Sequence, residues 1–484
     1  MKEEILINVT PQETRVAVME QGSAQELHVE RSSQRGLVGN TCMGVVSRVL
    51  PGMQSAFIQI GLDRAAFLHV ADIWGHRGAD EVKPIEKLLH DGDKILVQVI
   101  KDPIGTKGAR LSTQISIAGR CLVFLPQESH IGVSQRIEDE TERTHLKERL
   151  QQMVSSEQKG GFIIRTMAET ATDAELAADL EYLRRLWAGI QERARTCPAP
   201  ALLYQDLDLS LRVLRDFASD STERILVDSR ETFQRMSAFA RDYTLPFLDR
   251  VQHYTGERPL FDLYGVEDEI ERALARRVAL KSGGYLIIDQ TEALTTVDVN
   301  TGGFVGGRSF DDTIFKTNLE AAQVIARQLR LRNLGGIIII DFIDMDNDTH
   351  RGAVLAEFKK ALSIDRTRVG VNGFTTLGLV EMTRKRTRES LGRTILEPCF
   401  YCDGTGQLQS KQTIAYEILR QIRRERMNLP GYSIIVNAHP AIIDLLKNDE
   451  RDAVTEAERI FQRRLELIPR KEYHLEQFDL QGAK

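Results

Sequence analysis

A multidomain α/β (α+β) protein is what the sequence predicts, and three observations carry that prediction. The chain has 484 residues, which at roughly 100–200 residues per domain makes about three to five folding units. The first 117 residues or so are rich in short runs that alternate apolar and polar side chains or are punctuated by glycine, the pattern of strands. From Gly284 to Asp341 the pattern changes to strand, strand, helix and strand, an α/β layer unit.

The composition is that of an ordinary soluble globular protein, with 42% hydrophobic and 28% charged residues. The formal net charge of -6 excludes a uniformly basic nucleic-acid coat. Any nucleic-acid surface has to be a local basic patch. Five cysteines are too few for a disulfide framework, and only Cys399 and Cys402 lie close together. That usage fits a reducing compartment. The segment Met1–Asn8 lacks a signal-peptide core. The longest purely aliphatic run, Ile337–Ile340, is far too short to span a bilayer. The expected location is the cytoplasm, with no integral membrane association and a peripheral one left open.

Residues 1–30 alternate at period two in three runs separated by turn residues, which predicts a strand meander. Five short strands between about Gly36 and Ile117 suit a small closed barrel of OB type. On that barrel Phe57 and Phe67 either stack on nucleic-acid bases or fill the core, and phenylalanine is more often buried. Lys101, Lys107 and Arg110 are placed to follow phosphates. A helix follows, capped by Thr172 or Asp173, with Leu176, Leu180, Leu183 and Trp187 on one packing face. Beyond the Cys197–Pro200 linker, residues 208–280 mix helix and short strands, including a charged helix from Val266 to Lys281.

Two strands, 284–289 and 294–300, then form a hairpin. The loop Gly302–Gly307 is glycine-rich but lacks the Lys-Ser/Thr of a P-loop and makes no dinucleotide fingerprint. A helix is predicted from about Asn318 to Leu331. Gly335 and Gly336 stop it, and a buried strand, Ile337–Asp341, emerges. After about Gly404 the pattern is helical, with one strand at Tyr432–Val436.

Asp298 and Asp341 close two of these strands and so stand at the rim of a sheet, where open α/β sheets bind ligands. Hard oxygen ligands there suit magnesium, which takes one or two carboxylates and keeps its waters. Asn300, two residues beyond Asp298, shares its face and can orient a carboxylate. Such a cation activates water and stabilises developing charge in phosphoryl chemistry. The competing reading is that each aspartate forms a turn or caps a helix, and Asp289 and Asp344 are the plainest examples. Cys399 and Cys402 have the spacing of a zinc knuckle. They are either half a structural site completed by a second subunit or two ordinary thiols. The run Arg384–Arg388 holds four cations in five positions. It is either a track for a phosphate backbone or a solvated basic loop.

Three stretches, Gly283–Gly302, Arg327–Met345 and Leu379–Arg386, resemble the signatures of the ribonuclease E/G family, and the likeness runs along the whole chain. The resemblance implies a domain plan. An RNase H-like domain without an RNase H active site takes residues 1–35 and 210–273. An OB-fold RNA-binding barrel (36–117) is inserted in it, followed by a sensor of the RNA 5′ end (118–209). A DNase I-like catalytic domain (274–395), a zinc link (396–409) and a small dimerisation domain (410–484) complete the plan.

The resemblance also implies roles for single residues. Asp298 and Asp341 match the family's magnesium-binding aspartates, with Asn300 in support. Arg165 and Thr166 match a clamp for a 5′-monophosphate, to which Gly119 and Val123 add backbone contacts. Phe57, Phe67 and Lys107 match RNA contacts of the barrel, which reverses the core reading of the two phenylalanines. Cys399 and Cys402 match the ligands of a zinc shared between subunits, so a homodimer or homotetramer is implied. Phe400 and Tyr401 depart from the Pro-Arg of the ribonuclease E pattern, which touches local packing and not ligation. The implied activity is magnesium-dependent endonucleolytic cleavage of single-stranded, AU-rich RNA, leaving 5′-phosphate ends and favouring substrates with a 5′-monophosphate. The implied substrates are the 16S rRNA precursor and mRNA. A non-catalytic RNA-binding or ribosome-associated factor is the alternative, and an exonuclease is a poorer fit.

Overall fold

The period-two runs at the N-terminus pair as an antiparallel meander, Glu3–Val9, Glu13–Glu20 and Ser23–Arg31. Two strands from far along the chain, Thr222–Val227 and Val251–His253, join it in parallel and make a five-stranded sheet. Ile5, Ile7, Val16, Ile225 and Val227 bury one face of it with Met236 and Phe247. The computed structural model describes residues 2–75, 83–103, 108–137, 139–154, 160–303, 310–425 and 428–483. These fall into two units, Met1–Thr394 and Ile395–Lys484.

The predicted barrel is present and closed. Its strands run in the order Thr41–Leu50, Ser55–Gln59, Ala66–His69, Arg110–Ser112 and Lys94–Lys101, and the last pairs back onto the first. Beyond it, Gly161–Ile164, Leu122–Leu125 and two shorter strands form a four-stranded sheet. The helix Asp173–Thr196 packs in the same core. Of the two candidate caps, Thr172 is the one used, in a reciprocal box with Glu175. Leu176, Leu180 and Leu183 are buried, and Trp187 packs at the margin.

The third large sheet has six strands. Their order is Arg277–Ala279, Tyr285–Gln290, Leu294–Asn300, Gly336–Asp341, Val380–Arg384 and Val369–Phe374. Only Leu294–Asn300 and Gly336–Asp341 run parallel, joined through the helix Phe310–Leu331. Val297, Val299, Ile338, Ile340, Val380 and Met382 bury one face against that helix and Asp348–Leu362. The alternate residues Thr296, Asp298, Asp341, Glu381 and Thr383 are exposed on the other face.

Two boundaries differ from the sequence prediction. The helix expected to start near Asn318 begins at Phe310, about two turns earlier, with Asp311 and Asp312 in its first turn. Asn318 lies inside it, fully buried, and its amide bridges the backbone of Ile343, donating to the carbonyl at 2.8 Å and accepting from the N–H at 3.1 Å. The helix expected over Val266–Lys281 ends at Leu274, because Arg277–Ala279 pairs with Tyr285–Ile287 as an edge strand.

The C-terminal unit has three strands where one was predicted. Ser433–Ala438 is central, with Arg464–Pro469 parallel on one side and Phe478–Ala483 antiparallel on the other. Both unforeseen strands are edges whose residues are mostly only half-buried, so they lack a clear apolar alternation. Among the described residues no helix is long and apolar enough to cross a membrane.

Candidate active site

Asp298 and Asp341 are register partners across the one parallel strand pair of the six-stranded sheet. Neighbouring strands lie about 4.8 Å apart, and partners in register project to the same face. Because Val297, Val299 and Ile340 take the buried face, both carboxylates are left on the open one. Asp341 ends its strand as predicted, whereas Asp298 lies two residues before the end of Leu294–Asn300. The extra turn of the pleat returns Asn300 to the same face. Its Nδ2 donates to Asp298 Oδ2 at 2.9 Å.

Partial burial, then the charges of Asp298 and Asp344, push the Asp341 carboxyl above its ordinary value. A cation between the pair would relieve that repulsion. Two carboxylates with a supporting amide also match what magnesium takes from a protein. Among the described residues no cluster of three or more His, Cys, Asp or Glu is arranged to hold a metal. Asp344 adds its negative charge to the field at Asp341. Asp289 is neither a turn former nor a cap: it lies within the strand Tyr285–Gln290, and its Oδ2 accepts from Arg276 Nη2 at 2.6 Å.

The basic run does not act as one track. Arg384 is buried and donates through Nε to Asp365 Oδ2 at 2.7 Å and through Nη1 to Leu334 O at 3.0 Å. Arg388 donates to Leu27 O at 2.8 Å, and burial pushes its guanidinium down to about 10. Only Lys385 and Arg386 stand on the surface among its four cations.

The structure brings Arg165 and Gly119 together, with Thr166 next to Arg165 and Val123 on the neighbouring strand opposite Ile163. Arg165 donates to the Gly119 carbonyl and, through Nη2, to Asp216 Oδ1 at 2.8 Å. The Gly119 N–H is already committed to Leu122 O at 2.8 Å. Asp216 lies on a π-helical turn, Val213–Phe217, and also accepts from Arg215 Nη2 at 3.0 Å. A second carboxylate shapes the loop. Asp179, buried, accepts the backbone N–H groups of Arg120, Cys121 and Leu122, each at 2.9 Å. A Cβ at Gly119 would stand 2.4 Å from Asp179 Oδ1, so only glycine fits there. Sequence reasoning missed both carboxylates. Asp179 interrupts the buried face of its helix beside Leu176, Leu180 and Leu183, a misplaced charge that could have marked it, whereas Asp216 is 51 residues from Arg165 with no local pattern to mark it.

Phe57 and Phe67 are cross-strand partners with ring centroids 6.3 Å apart, edge to face. Phe57 is 36% exposed and Phe67 half-buried, so the pair lies on the barrel's outer face and not in its core. Arg110 is tied to Asp72 at 2.8 Å, Lys101 is exposed, and the exposed Arg48 is the cross-strand partner of Phe57. Lys107 lies outside the described residues.

Within the C-terminal unit, Cys399 is exposed and Cys402 half-buried. The Gly406 N–H donates to Cys402 Sγ at 3.2 Å, which holds that thiol below its usual range. Asp403, Gly404 and Gly406 take positive φ. An N–H group aimed at sulfur in a tight glycine turn suits a metal thiolate, and the knuckle offers two of the four ligands that zinc wants.

The family model described as the Ribonuclease E/G family matches residues 116–387, and one described as the RNase E/G thioredoxin-like domain matches residues 398–483. Ribonuclease G of Escherichia coli (strain K12) is 52% identical over 488 residues, 99% of each chain. Ribonuclease G of Haemophilus influenzae is 49% identical over 486 residues, again 99% of each. Ribonuclease E of Escherichia coli is 36% identical over 468 residues, 94% of this chain and 43% of that protein. The in-register aspartates, Asn300 and Arg165 all fall inside the first matched span, and the similarity extends from end to end: the chain belongs to the ribonuclease E/G family.

Proposed function

We propose that this ribonuclease is a magnesium-dependent endonuclease acting on single-stranded RNA, with Asp298 and Asp341 as the residues that hold the ion. The observation that carries the reading is the register pairing of the two carboxylates on an open sheet face, with Asn300 fixing one of them. Bound magnesium supplies a Lewis acid that activates water and neutralises charge at the scissile phosphate. Asn300 spends an N–H on Asp298 Oδ2 and so limits how that carboxylate can rotate. Both aspartates are exposed on the surface of the sheet, so a strand reaches them from the side and needs no free end to thread. Such access favours internal cutting.

The outward-facing Phe57 and Phe67 give bases an aromatic platform, which only unpaired nucleotides can use. AU-rich segments, weakly paired, are the natural substrates. Arg165 keeps donors beyond those given to Gly119 and Asp216, and Thr166 adds a hydroxyl, so together they suit a 5′-monophosphate. By its likeness to ribonuclease G, the chain is proposed to work in the cytoplasm on the 16S rRNA precursor and on mRNA.

The test uses linear RNA with a 5′-phosphate, the same RNA with a 5′-hydroxyl, and a circle of that sequence, each with magnesium. All three should be cut, the phosphorylated one fastest. An intact circle beside degraded linear RNA would mean an exonuclease, and binding without cutting would mean a non-catalytic factor. Arg165→Ala should remove the 5′-phosphate advantage. A charged hydrogen bond is worth about 1.5–3 kcal/mol, or roughly ten- to a hundredfold.

Cys399 and Cys402 are proposed to share a structural zinc with a second subunit, which makes the protein a homodimer or homotetramer. Cys399→Ala with Cys402→Ala should release zinc and shift sedimentation toward the monomer. An unchanged assembly with no zinc in the parent protein would refute the shared site.

A further inference from the structure

The open face that carries the aspartates also carries a groove that the site described above does not use. It is a cavity of about 820 Å³ whose lining includes Ile337, Gly370, Thr383, Arg368, Lys385 and Arg386. Its floor follows from strand register. Gly370 pairs with Thr383, Thr383 with Ile337, and Ile337 with Leu294. The row holding Asp298 and Asp341 belongs to the same strands. Ile337 stands four residues before Asp341, which at about 3.3 Å per residue is roughly 13 Å along the sheet. One phosphate cannot touch both places, so whatever fills the groove flanks the scissile bond.

Three features define what fits. Ile337 is 53% exposed, a large apolar side chain with nothing packed over it. The lining holds cations and no carboxylate. Arg384 is committed to Asp365, whereas Arg368 and Lys385 are exposed and make no ion pair among the described residues. Arg386 is held across the strand starts. It donates through Nε to Gly335 O at 3.1 Å and through Nη2 to Ala293 O at 3.2 Å. A Cβ on Gly336 would stand 2.9 Å from Arg386 Nε, so the glycine there makes room for the cation. An apolar floor ringed by positive charge and bare of negative charge complements a nucleotide, whose base is flat and apolar and whose phosphate is anionic.

We propose that this groove is a binding subsite for a nucleotide of the RNA substrate lying beside the cleavage point. Its base rests on Ile337 above Gly370, and Lys385 takes a backbone phosphate. The inference rests on the endonuclease reading for its substrate, but its own evidence is the groove.

The experiment measures binding of the full-length protein to a single-stranded RNA across a salt series without magnesium, and separately KM and kcat with magnesium. The variants are Lys385→Ala, Lys385→Arg and Ile337→Gln. Loss of one phosphate contact should lower the slope of log K against log salt by about 0.7 for a single strand. Lys385→Ala should show that drop and a raised KM at unchanged kcat, and Lys385→Arg should restore both. Ile337→Gln should raise KM without moving the salt slope, since it removes an apolar contact only. Trimming the substrate to the shortest cleavable oligomer on each side in turn should abolish the Lys385→Ala effect on one side only. A parental salt slope in Lys385→Ala, with parental KM in both variants, would overturn the proposal. A shift in sedimentation of the RNA-free protein would instead assign the groove to a second copy of the chain. Parent protein that binds but never cuts RNA would fail the endonuclease reading alone, since the salt slope still reports on the groove.

Discussion

Changing Asp298 to Asn, or Asp341 to Asn, is expected to lower the cleavage rate by on the order of 10³ or more while leaving the protein folded. Several kcal/mol of transition-state stabilisation pass through a catalytic cation, and each 1.36 kcal/mol is about tenfold in rate. Both positions lie on the open sheet face and bear none of the core. Asparagine keeps their shape and removes only charge. Asn300→Ala should cost less, because it frees Asp298 to rotate but leaves the ligand in place. Rates at saturating magnesium, with thermal melts as a folding control, make the measurement. Stability supplies an independent sign. Asp341 has its folded value raised, so its ionised form costs stability above the ordinary value of 3.8. Asp341→Asn should therefore melt no lower than the parent at neutral pH. Any gain should fade as the pH falls through the raised value. Cleavage at the parental rate in both variants would remove the metal assignment.

How much of this was legible in the sequence depends on whether a feature is local. The hairpin 285–300 and the strand ending at Asp341 are periodic and bounded by glycine, so their places could be read. That Asp298 and Asp341 are partners in register could not, because it depends on a crossover helix whose start the sequence hid. Asn318, near which the helix was expected to start, is a buried brace inside it. Phe57 and Phe67 show the limit of period-two reasoning on a barrel. Alternation says that two faces differ, and only closure shows which of them is inside. Asp216 meets Arg165, and Asp179 the loop at Arg120, through tertiary contacts alone. The family resemblance pointed to Arg165, and only the fold shows what holds it.

The basic run makes the same point with opposite consequences for neighbouring residues, and Arg384 gives the second large effect. Arg384→Ala should destabilise the protein by about 3–5 kcal/mol, because it leaves Asp365 as an uncompensated buried charge. The two side chains are 4% and 2% exposed. Arg384 also donates to Asn333 Oδ1 at 3.1 Å and Leu334 O at 3.0 Å, joining the strand Val380–Arg384 to the turn before Gly336. Lysine cannot span these acceptors with one ammonium, so Arg384→Lys should fall nearly as far. The paired change Arg384→Met with Asp365→Leu should recover much of the loss, since replacing a whole buried ion pair by apolar groups is often neutral or better. Lys385→Ala, one residue along and exposed, should leave the melting temperature within a degree or so, as surface substitutions usually do. If Arg384→Ala instead melted normally and bound RNA more weakly with a shallower salt slope, the run would be a phosphate track after all. The buried pair with Asp365 would then be too weak to matter. The crossed result, with stability falling at Arg384 and RNA affinity falling at Lys385, is the one the geometry requires: adjacent cations in one run, the first spent on the fold and the second free for the substrate.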